Sequence, residues 1–158
     1  MDETTRYITT ELELYSPHDL TALVAALEAR GLIPCHVCQS SVDWHALFSC
    51  NSTADQPYDE PEPQIAAMLS AIETLDPPLR AAWAACSVRL FDIGYNCGRE
   101  PFALRQELSA ETLARLAAVG AALRITLYAY QRQSAERHSV CDQEVSEAEP
   151  GATADSGA

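Results

Sequence analysis

Residues 7–15 read YITTELELY. Ile8, Thr10, Leu12 and Leu14 fall on one side of an extended chain, and Tyr7, Thr9, Glu11, Glu13 and Tyr15 on the other. This alternation predicts a strand with one buried face and one face turned to solvent. Such a strand needs a helical layer or a second sheet on its apolar side. The following residues, Ser16-Pro17-His18-Asp19, predict a helix start, with Ser16 as N-cap, Pro17 at the first helical position and Asp19 as the acidic N3 residue. Leu20, Leu23, Val24 and Leu27 recur at helical spacing and form one apolar stripe. Gly31 then suits a positive-φ stop.

Moving outward, Leu32–Gln39 predicts a second strand, with Ile33, Cys35 and Val37 on one face. Pro34 has no N–H to donate, which predicts that this strand lies at a sheet edge or starts late. Trp44–Cys50 is a third strand, joined to it by a turn containing Ser40, Ser41 and Asp43. Residues 51–63, NSTADQPYDEPEP, carry four acids and no base and predict a solvated, mobile loop. Ile65, Met68, Leu69, Ile72 and Leu75 mark a second helix. Asp76-Pro77-Pro78 ends it and caps a short turn through Trp83. Cys86–Tyr95, CSVRLFDIGY, is apolar on both faces and predicts an interior strand. Residues 96–101 form a turn. Ser109 caps a third helix, with Glu111 in its first turn, Leu113, Leu116 and Ala117 facing inward, and Gly120 at its end. Leu123, Ile125 and Leu127 give a fifth strand, with Arg124, Thr126, Tyr128 and Tyr130 opposite.

The expected order is β-α-β-β-α-β-α-β: an α+β fold with a single mixed β-sheet and helices packed on one face. It is a relative of the ferredoxin-like arrangement with an added αβ unit. Residues 1–132 read as one domain. Residues 133–158 lose all periodicity and read as a disordered acidic tail. A chain of 158 residues buries about 68–70% of its unfolded surface and so needs no disulfide or metal for its core.

Acidic residues number 23 and basic residues 10, all of them Arg, for a net charge of −13. Phosphate repels such a surface, so neither nucleic acid nor an anionic membrane is an expected partner; the charge favours a basic partner or simply high solubility. The N-terminal residues, MDETTRYITTELELY, have neither a cationic start nor an apolar signal core. A cytoplasmic location is expected, with the six cysteines Cys35, Cys38, Cys50, Cys86, Cys97 and Cys141 as reduced thiols.

Several clusters invite chemistry. Cys35, His36 and Cys38, with His45 and Cys50 nearby, are zinc-type ligands and a possible Cys–His nucleophile pair. Cys35 and Cys38 lie three apart on a strand, however, which sends them to opposite faces, and no cation activates a thiolate there. A small zinc- or thiol-dependent enzyme or zinc module on Cys35, His36, Cys38 and His45 is the alternative reading. No catalytic residue, cofactor or metal is expected in the main one. Glu11 and Glu13 point the same way and, flanked by Tyr7 and Tyr15 and joined by Tyr128 and Tyr130, suit contact with a cationic protein. Asp92 lies among apolar neighbours and needs a partner: Arg89, Arg99 or Arg124. Gly94 and Gly98 suit a bend or bulge.

The second half carries a family likeness. Leu79-Arg80-Ala81-Ala82-Trp83, Phe91-Asp92-Ile93-Gly94-Tyr95, Leu108-Ser109-Ala110-Glu111-Thr112-Leu113, Leu116-Ala117-Ala118-Val119-Gly120-Ala121 and Ile125-Thr126-Leu127-Tyr128 resemble small bacterial proteins of the domain-of-unknown-function 4279 type. The resemblance spans about residues 7–130 and is carried by the part from Leu79 onward. It implies a non-enzymatic immunity protein that binds and neutralises a cognate polymorphic, Rhs-type or type VI secreted toxin in the cytosol. Charge and exposure then select Tyr7, Glu11, Glu13, Tyr15, Asp55, Asp59, Glu60, Glu62 and Tyr128 as toxin-contact candidates.

Overall fold

A computed structural model describes residues 4–50 and 58–129. Its strands are β1 (Arg6–Ser16), β2 (Leu32–Gln39), β3 (Trp44–Cys50), β4 (Val88–Asn96) and β5 (Ala122–Tyr128); its helices are α1 (Thr21–Glu28), α2 (Pro61–Glu73), α3 (Pro77–Ala84) and α4 (Ala110–Ala118). The strands form one mixed sheet in the order β2-β3-β1-β4-β5. β1 pairs antiparallel with β3 and β4, β2 pairs antiparallel with β3, and β5 runs parallel to β4. The chain is therefore α+β. The proline-bearing strand is at an edge, and the strand predicted over Cys86–Tyr95 lies in the interior but runs from Val88 to Asn96. The tail expected at 133–158 lies outside the described residues.

One helix more is present than the alternation predicts. Asp76 accepts a hydrogen bond from the Leu79 N–H at 3.0 Å, and Pro77 has the φ that a first helical residue requires. The expected short turn is therefore a full helix, α3, held down by the buried Trp83. Trp83 also donates from Nε1 to the Val119 carbonyl at 2.8 Å. Arg89 ties the same corner together, donating to the carbonyls of Trp83, Ala84, Cys86 and Gly120 at 2.8–3.1 Å. Gly120, which takes φ +66°, ends α4 as expected.

The core lies on one side of the sheet. Leu12, Leu14, Ala46, Phe48, Phe91 and Ile93 meet Leu23 and Leu27 of α1, Ile65, Met68, Leu69 and Ile72 of α2, and Leu116 of α4 in a single cluster. Each such side chain contributes about 1.5–3 kcal/mol on burial. This cluster fixes which face of β1 is internal.

Four local expectations are corrected. β1 extends to Ser16 because that residue pairs with Trp44, so Ser16 cannot cap a helix. Its hydroxyl accepts from the His18 N–H at 3.0 Å, Asp19 accepts from the Thr21 N–H at 2.7 Å, and α1 begins only at Thr21. A register shift between Tyr7 and Thr9 breaks the alternation: Ile8 is 47% exposed, and Tyr7 packs against the core. Gly94 faces this irregularity, with the Thr9 carbonyl 3.5 Å from where its Cβ would stand. In α4 the inward residues are Thr112 and Leu116, while Leu113 points outward. Finally, α4 packs against α2, and the helix-side flank of β5 stays open, leaving Leu123, Ile125 and Leu127 37–60% exposed.

Gln64 locks the irregular part of β1 to α2. Its buried Oε1 accepts from the Thr10 N–H at 2.9 Å and from the Tyr7 hydroxyl. Replacing Gln64 with Leu strands the Thr10 N–H, leaving the Tyr7 hydroxyl only Thr10 Oγ1 at 2.8 Å, and should cost about 1–3 kcal/mol in urea unfolding. Burial pushes the Tyr7 phenol from 10.0 up to about 12. Its proton is held more tightly in the folded chain, so this contribution is complete below pH 10.0 and is lost as pH rises to about 12. Tyr7→Phe should flatten the alkaline limb of stability measured against pH.

Candidate functional site: the open face of the sheet

The register gathers polar side chains on the face of the sheet opposite the core. Cys38, His45 and Tyr15 align across β2, β3 and β1, and Glu11, Asp92 and Arg124 align across β1, β4 and β5. Glu13 and His36 sit in the row between, each opposite Leu47. Among the described residues, the helices all contribute their buried side chains to the other face.

An ion-pair network organises this surface. Arg124 donates to Asp92 Oδ2 from Nε at 2.9 Å and from Nη2 at 2.6 Å, and Nη2 reaches Glu13 Oε2 at 3.0 Å. The Thr126 hydroxyl donates to Asp92 Oδ1 at 2.7 Å. The partner of Asp92 is thus Arg124, whereas Arg89 serves backbone carbonyls. Glu13 Oε1 lies 3.3 Å from His45 Nε2. His45 stacks on Tyr15 with ring centroids 4.4 Å apart, and His36 lies 5.5 Å from it. Burial, then the charges of Asp92 and Glu13, raise the Glu11 carboxyl above its ordinary value; Arg124 opposes them. Burial and the nearby Glu13 raise the Tyr15 phenol.

Glu11, Glu13, Tyr15 and Tyr128 therefore share one surface, as their alternation predicts. Tyr7 does not, because the register shift turns it toward the core. Asp55 lies outside the described residues, as does Tyr130. Asp59 and Glu60 are exposed, with Glu60 at the N-cap of α2. The loop predicted to reach Pro63 stops there, since the prolines at 61 and 63 fit a first helical turn. Glu62 has an internal role: its Oε1 accepts from the Ser109 N–H at 3.0 Å and the Thr112 hydroxyl at 2.6 Å, joining α2 to the start of α4. Those hydrogen bonds hold its carboxyl below the ordinary glutamate range.

The Cys/His group also resolves differently from its sequence spacing. His36, Cys38 and His45 come together, each offering a ligand atom within 4.8 Å of the others. Cys35 falls at the register shift between Pro34 and His36 and directs its thiol to the Ile33 carbonyl at 3.6 Å. Cys50 packs against the core, and burial pushes its thiol up to about 11, which disfavours a nucleophilic thiolate. The informative signal was the hairpin pairing, which sets Cys38 opposite His45, together with the two-residue step from His36 to Cys38.

No family model, curated protein or solved structure matches the chain.

Arg124 is half exposed, so solvent screens its pairs. Arg124→Met should cost about 1 kcal/mol. It should also move the Glu11 titration further upward in a carboxyl-resolved NMR titration, because the opposing cation is gone. An unmoved Glu11 titration would show that Arg124 does not set its charge.

Proposed function

We propose that this chain is a non-enzymatic binding protein that neutralises a cognate bacterial toxin in the cytosol by laying the open face of its sheet on a basic surface. The observation that carries the reading is the composition of that face: Glu11, Glu13 and Asp92 gather around the one guanidinium of Arg124, with Tyr15 beside them and, further along the sheet, Arg6 aligned with Asn96 and Tyr128. Excess negative charge speeds encounter with a cationic partner, and exposed tyrosines supply anchors that slow dissociation. The residue likeness to immunity proteins of the domain-of-unknown-function 4279 type supports the same role. So does the net charge of −13, which disfavours nucleic acid and anionic lipid as partners. No described helix is long and apolar enough to cross a membrane.

The fold relation is part of this proposal. The order β2-β3-β1-β4 with antiparallel neighbours supports reading the first four strands as a ferredoxin-like unit, extended by α4 and β5. In such a layered fold one sheet face is free for a partner.

The test is co-expression with the C-terminal domain of a candidate toxin taken from the neighbouring reading frame, followed by binding kinetics on the purified pair. Growth should be rescued. Glu11→Lys should slow association by about tenfold at low salt and flatten its salt dependence. Tyr128→Ala should act mainly on dissociation, by about 2 kcal/mol if Tyr128 is an anchor. Failure to rescue growth or to bind the toxic domain overturns the immunity reading. Binding that ignores Glu11, Tyr15 and Tyr128 substitutions overturns the surface.

A further inference from the structure

We propose that the β2–β3 hairpin binds a divalent transition-metal ion of the zinc class through His36, Cys38 and His45. This inference is independent of any toxin partner.

The geometry starts from the strand. His36 and Cys38 are two residues apart on β2 and so project from one face, while His45 lies directly across from Cys38 on β3. The three ligand atoms lie within 4.8 Å of one another. Around a tetrahedral zinc, with bonds of about 2.0–2.3 Å, neighbouring ligand atoms stand about 3.3–3.7 Å apart. Side-chain rotation is the route to closing that difference, and His36 and Cys38 are both exposed.

A second observation points the same way. His45 Nε2 is buried and has no hydrogen-bond partner among the described residues. The Glu13 carboxylate is 3.3 Å away but is not aligned for a hydrogen bond. A buried imidazole nitrogen normally finds a partner, and the His45 side chain that carries it stands beside a thiol and a second imidazole. The Tyr15 ring stacked on His45 fixes the plane of the imidazole. Arg124 grips the far oxygen of Glu13 at 3.0 Å, leaving Oε1 turned toward His45. Glu13 is thus placed to complete the ligand set or to orient the His45 ring, the two uses that carboxylates have at histidine–metal sites.

The donor set identifies the ion class. One thiolate and two imidazoles suit zinc and its neighbours in the first transition row. They do not suit calcium or magnesium, which take oxygen.

The probes are Zn²⁺ and Co²⁺ added to the full chain under a phosphine reductant. The expected result is one equivalent of Zn²⁺ bound in competition with a chromogenic chelator, and a Co²⁺ adduct showing a sulfur-to-metal charge-transfer band. Cys38→Ser and, separately, His36→Ala should abolish stoichiometric Zn²⁺ uptake, and Cys38→Ser should remove the band. Both residues are exposed, and circular dichroism checks that the variants fold. Cys35→Ser should leave both signals intact, and Glu13→Gln should weaken Zn²⁺ binding by about 10–100-fold. Absence of stoichiometric Zn²⁺ binding by the unaltered chain overturns the proposal. So does a cobalt band that persists in folded Cys38→Ser, since the metal is then held elsewhere.

Discussion

Glu13 and Asp92, on neighbouring strands, share one guanidinium, that of Arg124. The open face depends on this arrangement. Three carboxylates, Glu11, Glu13 and Asp92, crowd two adjacent strands, and like charges placed opposite each other destabilise a sheet. Arg124 reaches from β5 across β4 to β1, neutralises part of that charge and directs Asp92 and Glu13. Asp92 is held from both oxygens, by Arg124 and Thr126. Glu13 is held from one, and its other oxygen turns to His45. The edge hairpin is thereby linked to the far edge of the sheet through a chain of polar contacts as well as through the core.

The opposite face works by a different rule. It is apolar except where β1 is irregular, and there Gln64 supplies the hydrogen bonds that a buried Thr10 N–H and Tyr7 hydroxyl require. Buried polar groups of this kind are costly unless satisfied, so α2 cannot shift along β1 without exposing the cost. Arg89 plays the corresponding part at the other end, collecting carbonyls from the ends of α3 and α4.

The sequence was most legible where the pattern is local. The bounds of β2 and β3, the Ser109 cap, the stop at Gly120 and the interior place of β4 follow from alternation, capping chemistry and turn residues. It was least legible where a distant pairing decides. Tyr7 obeys the same alternation as Glu11, yet the register against Tyr95 and Gly94 turns it inward. Ser16 has the chemistry of a helix cap, yet pairing with Trp44 keeps it in the strand. Glu62 belongs to an acidic run, yet its carboxylate serves the N-terminus of another helix. At the candidate site, Cys35 and Cys38 drew notice by their spacing. The group that assembles is set by which residue faces which across a hairpin, and a linear motif does not encode that.

The division of β1 between its two sides has an evolutionary corollary. Leu12 and Leu14 hold the fold together, while Glu11, Glu13 and Tyr15, interleaved with them, take no part in the core. Substitution at every second position can therefore change the outward chemistry of the sheet while the core residues between stay as they are. Variants with new outward chemistry inherit a scaffold whose packing is already in place.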